Sequence, residues 1–206
     1  MATPARLAAL VGGLTLALTL SACGDGASST SGSGAPPAAI EASEISQEHN
    51  AADVEFTQQM IPHHRQATEM AELAPDRAES EDVKALAEEI IAAQQPEIET
   101  MTAMLARWGQ PMSGDGSGDV PMGGMDMGGM TGMMTPQQMT ELENASGAEF
   151  DRSFLQMMIA HHKGAVEMAR AEQVDGKNPQ AIELAKQIES AQIEEIGRMQ
   201  GLLPII

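Results

Sequence analysis

The sequence predicts an all-α protein, a four-helix bundle assembled from two copies of one helical hairpin. Three observations predict it. The chain repeats itself at an offset of 98 residues without a gap. Its composition is 42% hydrophobic but only 2% aromatic: Trp108, Phe56, Phe150 and Phe154 are the whole aromatic set, against 17 Met. A core without aromatic bulk is filled by Leu, Ile, Ala and Met on packed helices. Finally, no stretch alternates apolar and polar residues as a half-buried strand would.

The elements follow in order. Residues 1–22 carry one positive charge, Arg6, and then an apolar run from Leu7 to Leu20. This is a secretory signal segment, too short and too soon followed by polar residues for a membrane span. It ends in Leu20-Ser21-Ala22-Cys23, which resembles the bacterial lipobox, so Cys23 is the expected lipidation site. Acyl chains there would anchor the protein stably, since each buried methylene contributes about 0.8 kcal/mol. Cys23 is also the only Cys, so no internal disulfide can form. Residues 23–40 are rich in Gly, Ser, Ala and Pro and read as a flexible tether. The expected location is the outer face of a bacterial cell membrane.

The bundle domain is expected over residues 41–206. Residues 56–73 read FTQQMIPHHRQATEMAEL and residues 154–171 read FLQMMIAHHKGAVEMARA, with 10 of 18 positions identical. The same offset aligns Leu86–Leu105 with Leu184–Leu203, where 9 of 20 match. Two blocks in one register mean that helix, loop and second helix were duplicated together. Capping signals agree: Ser80 before the second helix, Thr135-Pro136-Gln137-Gln138 before the third helical stretch, and Asn178-Pro179 before the last. Gly147 should interrupt the stretch that begins at Pro136, and kinks are expected at Pro62 and Pro96. Between the hairpins, residues 109–134 form a low-complexity linker. Its end, PMGGMDMGGMTGMM, places six Met in fourteen residues.

The repeated face carries the chemistry. At 100° per residue, Asp53, Phe56, Met60, His63, His64, Ala67, Met70 and Ala71 fall within an arc of about 120°. Their counterparts are Asp151, Phe154, Met158, His161, His162, Ala165, Met168 and Ala169. Glu69 and Glu167 fall on the opposite side. Four of the five His thus face the core, where imidazole is tolerated only with partners. Adjacent His pairs with flanking Met point to a metal site built from Met60, His63, His64 and Met70 and from Met158, His161, His162 and Met168. Asp53 and Asp151 are candidates for an outer shell around it. Thioether sulfur is a poor ligand for Mg²⁺, Ca²⁺ and Zn²⁺ and a good one for Cu(I) and Ag(I), while imidazole accepts copper in either oxidation state. Copper is therefore the expected metal, Cu(I) foremost with Cu(II) and Ag(I) accommodated. A di-iron carboxylate bundle would need inward Glu-x-x-His pairs, and the repeated Glu of this motif points out. Proton competition at imidazole should weaken the helix sites below about pH 6. Met122, Met125, Met127, Met130, Met133 and Met134 of the linker are candidates for weaker, exchangeable sites.

The doubled pattern, FTQQMIPHHRQATEMA at residues 56–71 and GAEFDRSFLQMMIAHHKGAVEMA at residues 147–169, resembles the secreted bacterial family called domain of unknown function 305, with its CopM-type copper-binding branch. The resemblance spans roughly residues 47–203 and implies a ferritin-like four-helix bundle. It further implies a role in copper binding and tolerance through the same eight Met and His residues.

Charge narrows the partners. Thirty acidic against 11 basic side chains give a net charge of −19, which excludes a phosphate-neutralising nucleic-acid surface and electrostatic docking on anionic lipid. No nucleophile triad, phosphate loop or Cys pair is present. The expectation is a non-catalytic, lipid-anchored copper-binding protein for buffering, tolerance or handover, with no protein partner indicated. The alternatives are a metal-free helical interaction module and a copper- or iron-dependent oxidase.

Overall fold

The computed structural model describes residues 44–112 and 131–206. Cys23 and residues Met122, Met125, Met127 and Met130 lie outside them. The described residues form six helices and no strand: α1 (Ala51–Glu72), α2 (Ala74–Arg77), α3 (Glu81–Trp108), α4 (Pro136–Asn144), α5 (Gly147–Asp175) and α6 (Pro179–Leu202). The all-α bundle is as the repeat predicts. α1 pairs with α3, α5 pairs with α6, and the two hairpins meet through α1 and α5.

Local chemistry sets the boundaries. Asn50 caps α1 in a reciprocal box with Asp53. The Ser80 side chain accepts from Val83 N–H at the start of α3. Thr135 and Gln138 form a second capping box at α4, and Asn178 accepts from Gln180 and Ala181 N–H at α6. Gly109 closes α3 in the left-handed conformation, φ 67°, where glycine carries no Cβ penalty. Gly147 separates α4 from α5 with φ 61°. α1 and α3 run through Pro62 and Pro96 without ending. The first hairpin breaks instead at Leu73, just before Pro75, and α2 follows. In the second copy Gln173 stands at that position, and α5 continues unbroken to Asp175. Pro75 has no N–H to continue the ladder and stands at the break, where the second copy carries Gln173.

Asp53 and Asp151 hold the repeats together crosswise. Asp151, on α5, accepts from the backbone N–H of Glu79 (3.2 Å) and Ser80 (2.8 Å), in the loop that opens α3. Asp53, on α1, accepts from Lys177 (3.0 Å) and Asn178 (2.8 Å), in the loop that opens α6. Each hairpin thus fastens the other's turn, and α1 and α5 run antiparallel. The sequence placed these two carboxylates in an outer shell of the metal site, and that reading is corrected here. They share the angular face of the His pairs but sit ten residues away, about 15 Å along the helix axis, with their oxygens used by loop amides. Burial pushes the Asp53 carboxyl up, but hydrogen bonds from Glu172 and from the backbone N–H groups of Asn178, Asn50 and Lys177 hold it below its ordinary value. Replacing Asp151 with Ala removes two charge-assisted bonds. It should lower unfolding free energy by about 3 kcal/mol in a denaturant titration, while metal stoichiometry stays unchanged.

The core is divided in two. One apolar cluster contains Met70, Leu86, Ile90, Phe150, Phe154 and Met158. The other contains Phe56, Met60, Ile98, Met101, Leu105 and Ile188. On all four long helices the residues between the clusters are polar: His63 and His64 on α1, Gln94 and Glu97 on α3, His161 and His162 on α5, Gln192 and Glu195 on α6. A polar layer therefore crosses the middle of the bundle.

Candidate metal centre

All four His of this layer are 0% exposed. The His63 and His161 rings, one from each repeat, meet across the α1–α5 contact with centroids 3.7 Å apart and planes tilted by 37°. His161 and His162 centroids are 6.3 Å apart. The outer member of each pair meets a carboxylate from the second helix of its own hairpin. His64 Nε2 lies 2.7 Å from Glu97 Oε2, and His162 Nε2 lies 2.6 Å from Glu195 Oε2. Glu97 and Glu195 are equivalent under the 98-residue offset, so the geometry is duplicated along with the sequence. The fifth His, His49, is outside the layer and stacks on Trp108 at 4.9 Å.

Most of the imidazole valence is unused. Nδ1 of His63, His64 and His162 and both ring nitrogens of His161 are buried with no hydrogen-bond partner. Gln94 and Gln192, each 2% exposed and equivalent by the repeat, also leave both amide atoms unpaired. A buried polar atom without a partner costs about 1–3 kcal/mol, and native proteins keep few of them. Nine such atoms in one layer are a demand for a ligand, and bare ring nitrogens suit a metal ion.

Burial, followed by the charge of neighbouring His64, lowers the His63 pKa to about 3. Burial and then the other three imidazoles hold His161 well below its ordinary value. The sequence predicts loss of metal below about pH 6 by protonation of these rings, and the structure corrects that expectation for His63. Within the folded state its nitrogen stays unprotonated well below that pH, ready to ligate.

The flanking Met residues divide by height. Met60 and Met158 are fully buried, three residues before each His pair. Met70 and Met168 lie six residues after each pair, about 9 Å along the axis. Met70 is in one apolar cluster, and half-buried Met168 packs on the other. Met101 and Met199, both fully buried on the second helices four residues after Glu97 and Glu195, add two thioethers that the sequence reading missed. Glu97, Glu195, Gln94 and Gln192 were missed as well. The six form three of the nine identical pairs in the second repeat block, which is the signal that marks them. Glu69 and Glu167 are exposed, as the helical wheel requires. Among the described residues no three His, Cys, Asp or Glu side chains already converge as a metal site.

The end of the Met-rich linker is fastened over the layer. Thr131 O accepts from His63 Nε2 at 3.3 Å. On α1, the Gln66 amide pairs with both backbone groups of Met134, at 2.8 and 2.7 Å. Its repeat counterpart on α5 is Gly164, whose missing side chain leaves space for Thr131 and Gly132. A Cβ at Gly164 would collide with the Thr131 carbonyl, its carbon only 2.6 Å away, and approach Gly132 Cα to 2.9 Å. Gly132 itself has φ 87°. Met133 and Met134 are 9% and 6% exposed, so they are packed rather than free in solvent. Gly164→Ala should therefore displace residues 131–134 and break the His63–Thr131 contact. It should cost about 1–3 kcal/mol of stability, with the His63 ring resonances shifting in NMR spectra.

The profile of the family described as domain of unknown function DUF305 matches residues 53–203. No curated protein matches the chain. Among solved structures, a DUF305 fragment from Deinococcus radiodurans is 34% identical with a TM-score of 0.65, covering 76% of this chain and 98% of its own. A DUF305 protein from Streptomyces coelicolor is 33% identical with a TM-score of 0.65, covering 74% of this chain and 91% of its own. CopM in its Cu(II)-bound form is 33% identical with a TM-score of 0.62, covering 74% and 95%. CopM has also been solved in Cu(I)-bound and Ag-bound forms. With the profile spanning both hairpins and the duplicated His pairs between them, this chain belongs to the DUF305 family.

Proposed function

We propose that this protein binds copper outside the cytoplasm, as Cu(I) foremost and with Ag(I) and Cu(II) accommodated, and serves copper buffering, tolerance or handover without catalysing a reaction. The observation that carries this reading is the polar layer. Four fully buried His leave five ring nitrogens unpaired, with the buried thioethers of Met60 and Met158 on the same helices and those of Met101 and Met199 on α3 and α6. Soft sulfur beside imidazole selects Cu(I) and Ag(I). The Cu(II)-, Cu(I)- and Ag-bound forms of CopM support metal binding by this fold.

Two other readings are weaker. In a metal-free interaction module the His pairs would be structural and their nitrogens satisfied. An oxidase would need an acid or base beside an open position; Asp53 and Asp151 are occupied with loop amides, and Glu97 and Glu195 are paired with His64 and His162. The lipid anchor at Cys23 belongs to this proposal and rests on the lipobox-like Leu20-Ser21-Ala22-Cys23. Cys23→Ser should move the protein out of the membrane fraction. Equilibrium Cu(I) competition against a chromophoric chelator tests the function directly. Tight binding with Ag(I) competing and Zn²⁺ ineffective supports it, and no binding beyond that of a Met-free control protein refutes it.

A further inference from the structure

The duplicated His–Glu contact defines which nitrogen of each outer imidazole meets the metal. We infer that Glu97 and Glu195 are positioning residues that hold the proton of His64 and His162 on Nε2 and so dedicate Nδ1 of both rings to a metal ion. This rests on the copper reading above and deepens it.

A carboxylate accepts, so the short contacts at 2.7 and 2.6 Å make Nε2–H the donor in both rings. Nδ1 in each ring is buried and has no partner. A proton there would be an orphaned buried donor beside an apolar cluster, the costlier way to leave the atom. The neutral ring with a bare Nδ1 lone pair is the state that fits. A hydrogen bond from the remote nitrogen to a carboxylate fixes tautomer and ring orientation and raises the basicity of the other nitrogen. The same contact occurs in both repeats although the preceding residue differs, Pro96 in one and Glu194 in the other. Glu97 is 4% exposed, and a structural ion pair alone would leave no reason for an unpaired Nδ1 on the far side. Gln94 and Gln192, three residues earlier on the same helices, direct further unpaired polar atoms to the same layer.

The test has an arm that needs no metal. Long-range ¹H–¹⁵N NMR of the apo protein should show His64 and His162 as neutral Nε2–H tautomers. A proton on Nδ1 of either ring overturns the proposal. In the second arm, Glu97→Ala and Glu195→Ala are compared with Glu97→Gln and Glu195→Gln. The Ala variants should lose the fixed tautomer and about 10- to 100-fold in Cu(I) affinity per site. The Gln variants keep an accepting oxygen and should retain the tautomer, with most of the affinity restored. Folded Ala variants with wild-type affinity and tautomer would overturn the proposal. Absence of copper binding by the wild type would instead sink the functional reading, and the apo spectra would still decide the tautomer.

Discussion

Copper affinity should fall by more than about three orders of magnitude when His63, His64, His161 and His162 are all replaced by Ala. Loss of one outer partner of a ligating His already costs 10- to 100-fold, and here the ligands themselves are removed. The variant should remain helical, because the apolar clusters above and below the layer are untouched. Circular dichroism checks that condition. Replacing Met122, Met125, Met127, Met130, Met133 and Met134 by Leu should leave the tight sites in place and remove weaker ones or slow uptake. The physical distinction is preorganisation. Imidazoles on packed helices are held in place before the ion arrives. Cu(I) competition on both variants gives the answer. A His variant with full affinity, beside a linker variant with none, would make the bundle a scaffold and the linker the binding site.

Much of this arrangement was legible in the sequence. The repeat gave two hairpins, and the helical wheel put both His pairs on the inner face, where all four are buried. A wheel reports angle and is silent about height. Asp53 shares its angle with the imidazoles, which is why it read as part of their shell, but about ten residues of helical rise carry it to the end of the bundle. Height also separates Met60 from Met70. Glu97 was hidden for another reason: it meets His64 across 33 residues of chain, and only the packing of α1 on α3 sets that register. Gly164 was silent because its contribution is an absence. The need for space appears once Thr131 is seen lying against it. Pairing between helices, more than the helices themselves, was what the residues alone left open.

The same unpaired nitrogens that favour a metal should make the apo protein less stable than its packing allows. His161→Leu is the cleanest test. His161 is 0% exposed with neither ring nitrogen paired, and Leu fills a similar volume without a polar atom. The variant gives up the ring contact with His63 but removes two orphaned groups, each costing about 1–3 kcal/mol. Apo stability should rise by about 1–2 kcal/mol, which for a domain of this size is a few degrees in Tm. Acid should amplify the difference. The folded pKa of His63 is about 3 and that of His161 is also far below its ordinary value, against about 6.5 in an unfolded chain. Below pH 6.5 the unfolded state therefore binds more protons. Stability is intact above that pH and declines as pH falls toward the folded values. Each such His contributes a slope of about 1.4 kcal/mol per pH unit in that window. Wild type should thus lose stability between pH 6.5 and 4.5 more steeply than His161→Leu, by about one proton's worth. Copper should reverse the ranking, because it stabilises the folded wild type by mass action and has lost a ligand in the variant. Denaturant titrations of both proteins at pH 7, 5.5 and 4.5, with and without Cu(I), test all three expectations. An apo His161→Leu protein less stable than wild type at every pH would show that the His161 nitrogens are satisfied and that this layer is structural.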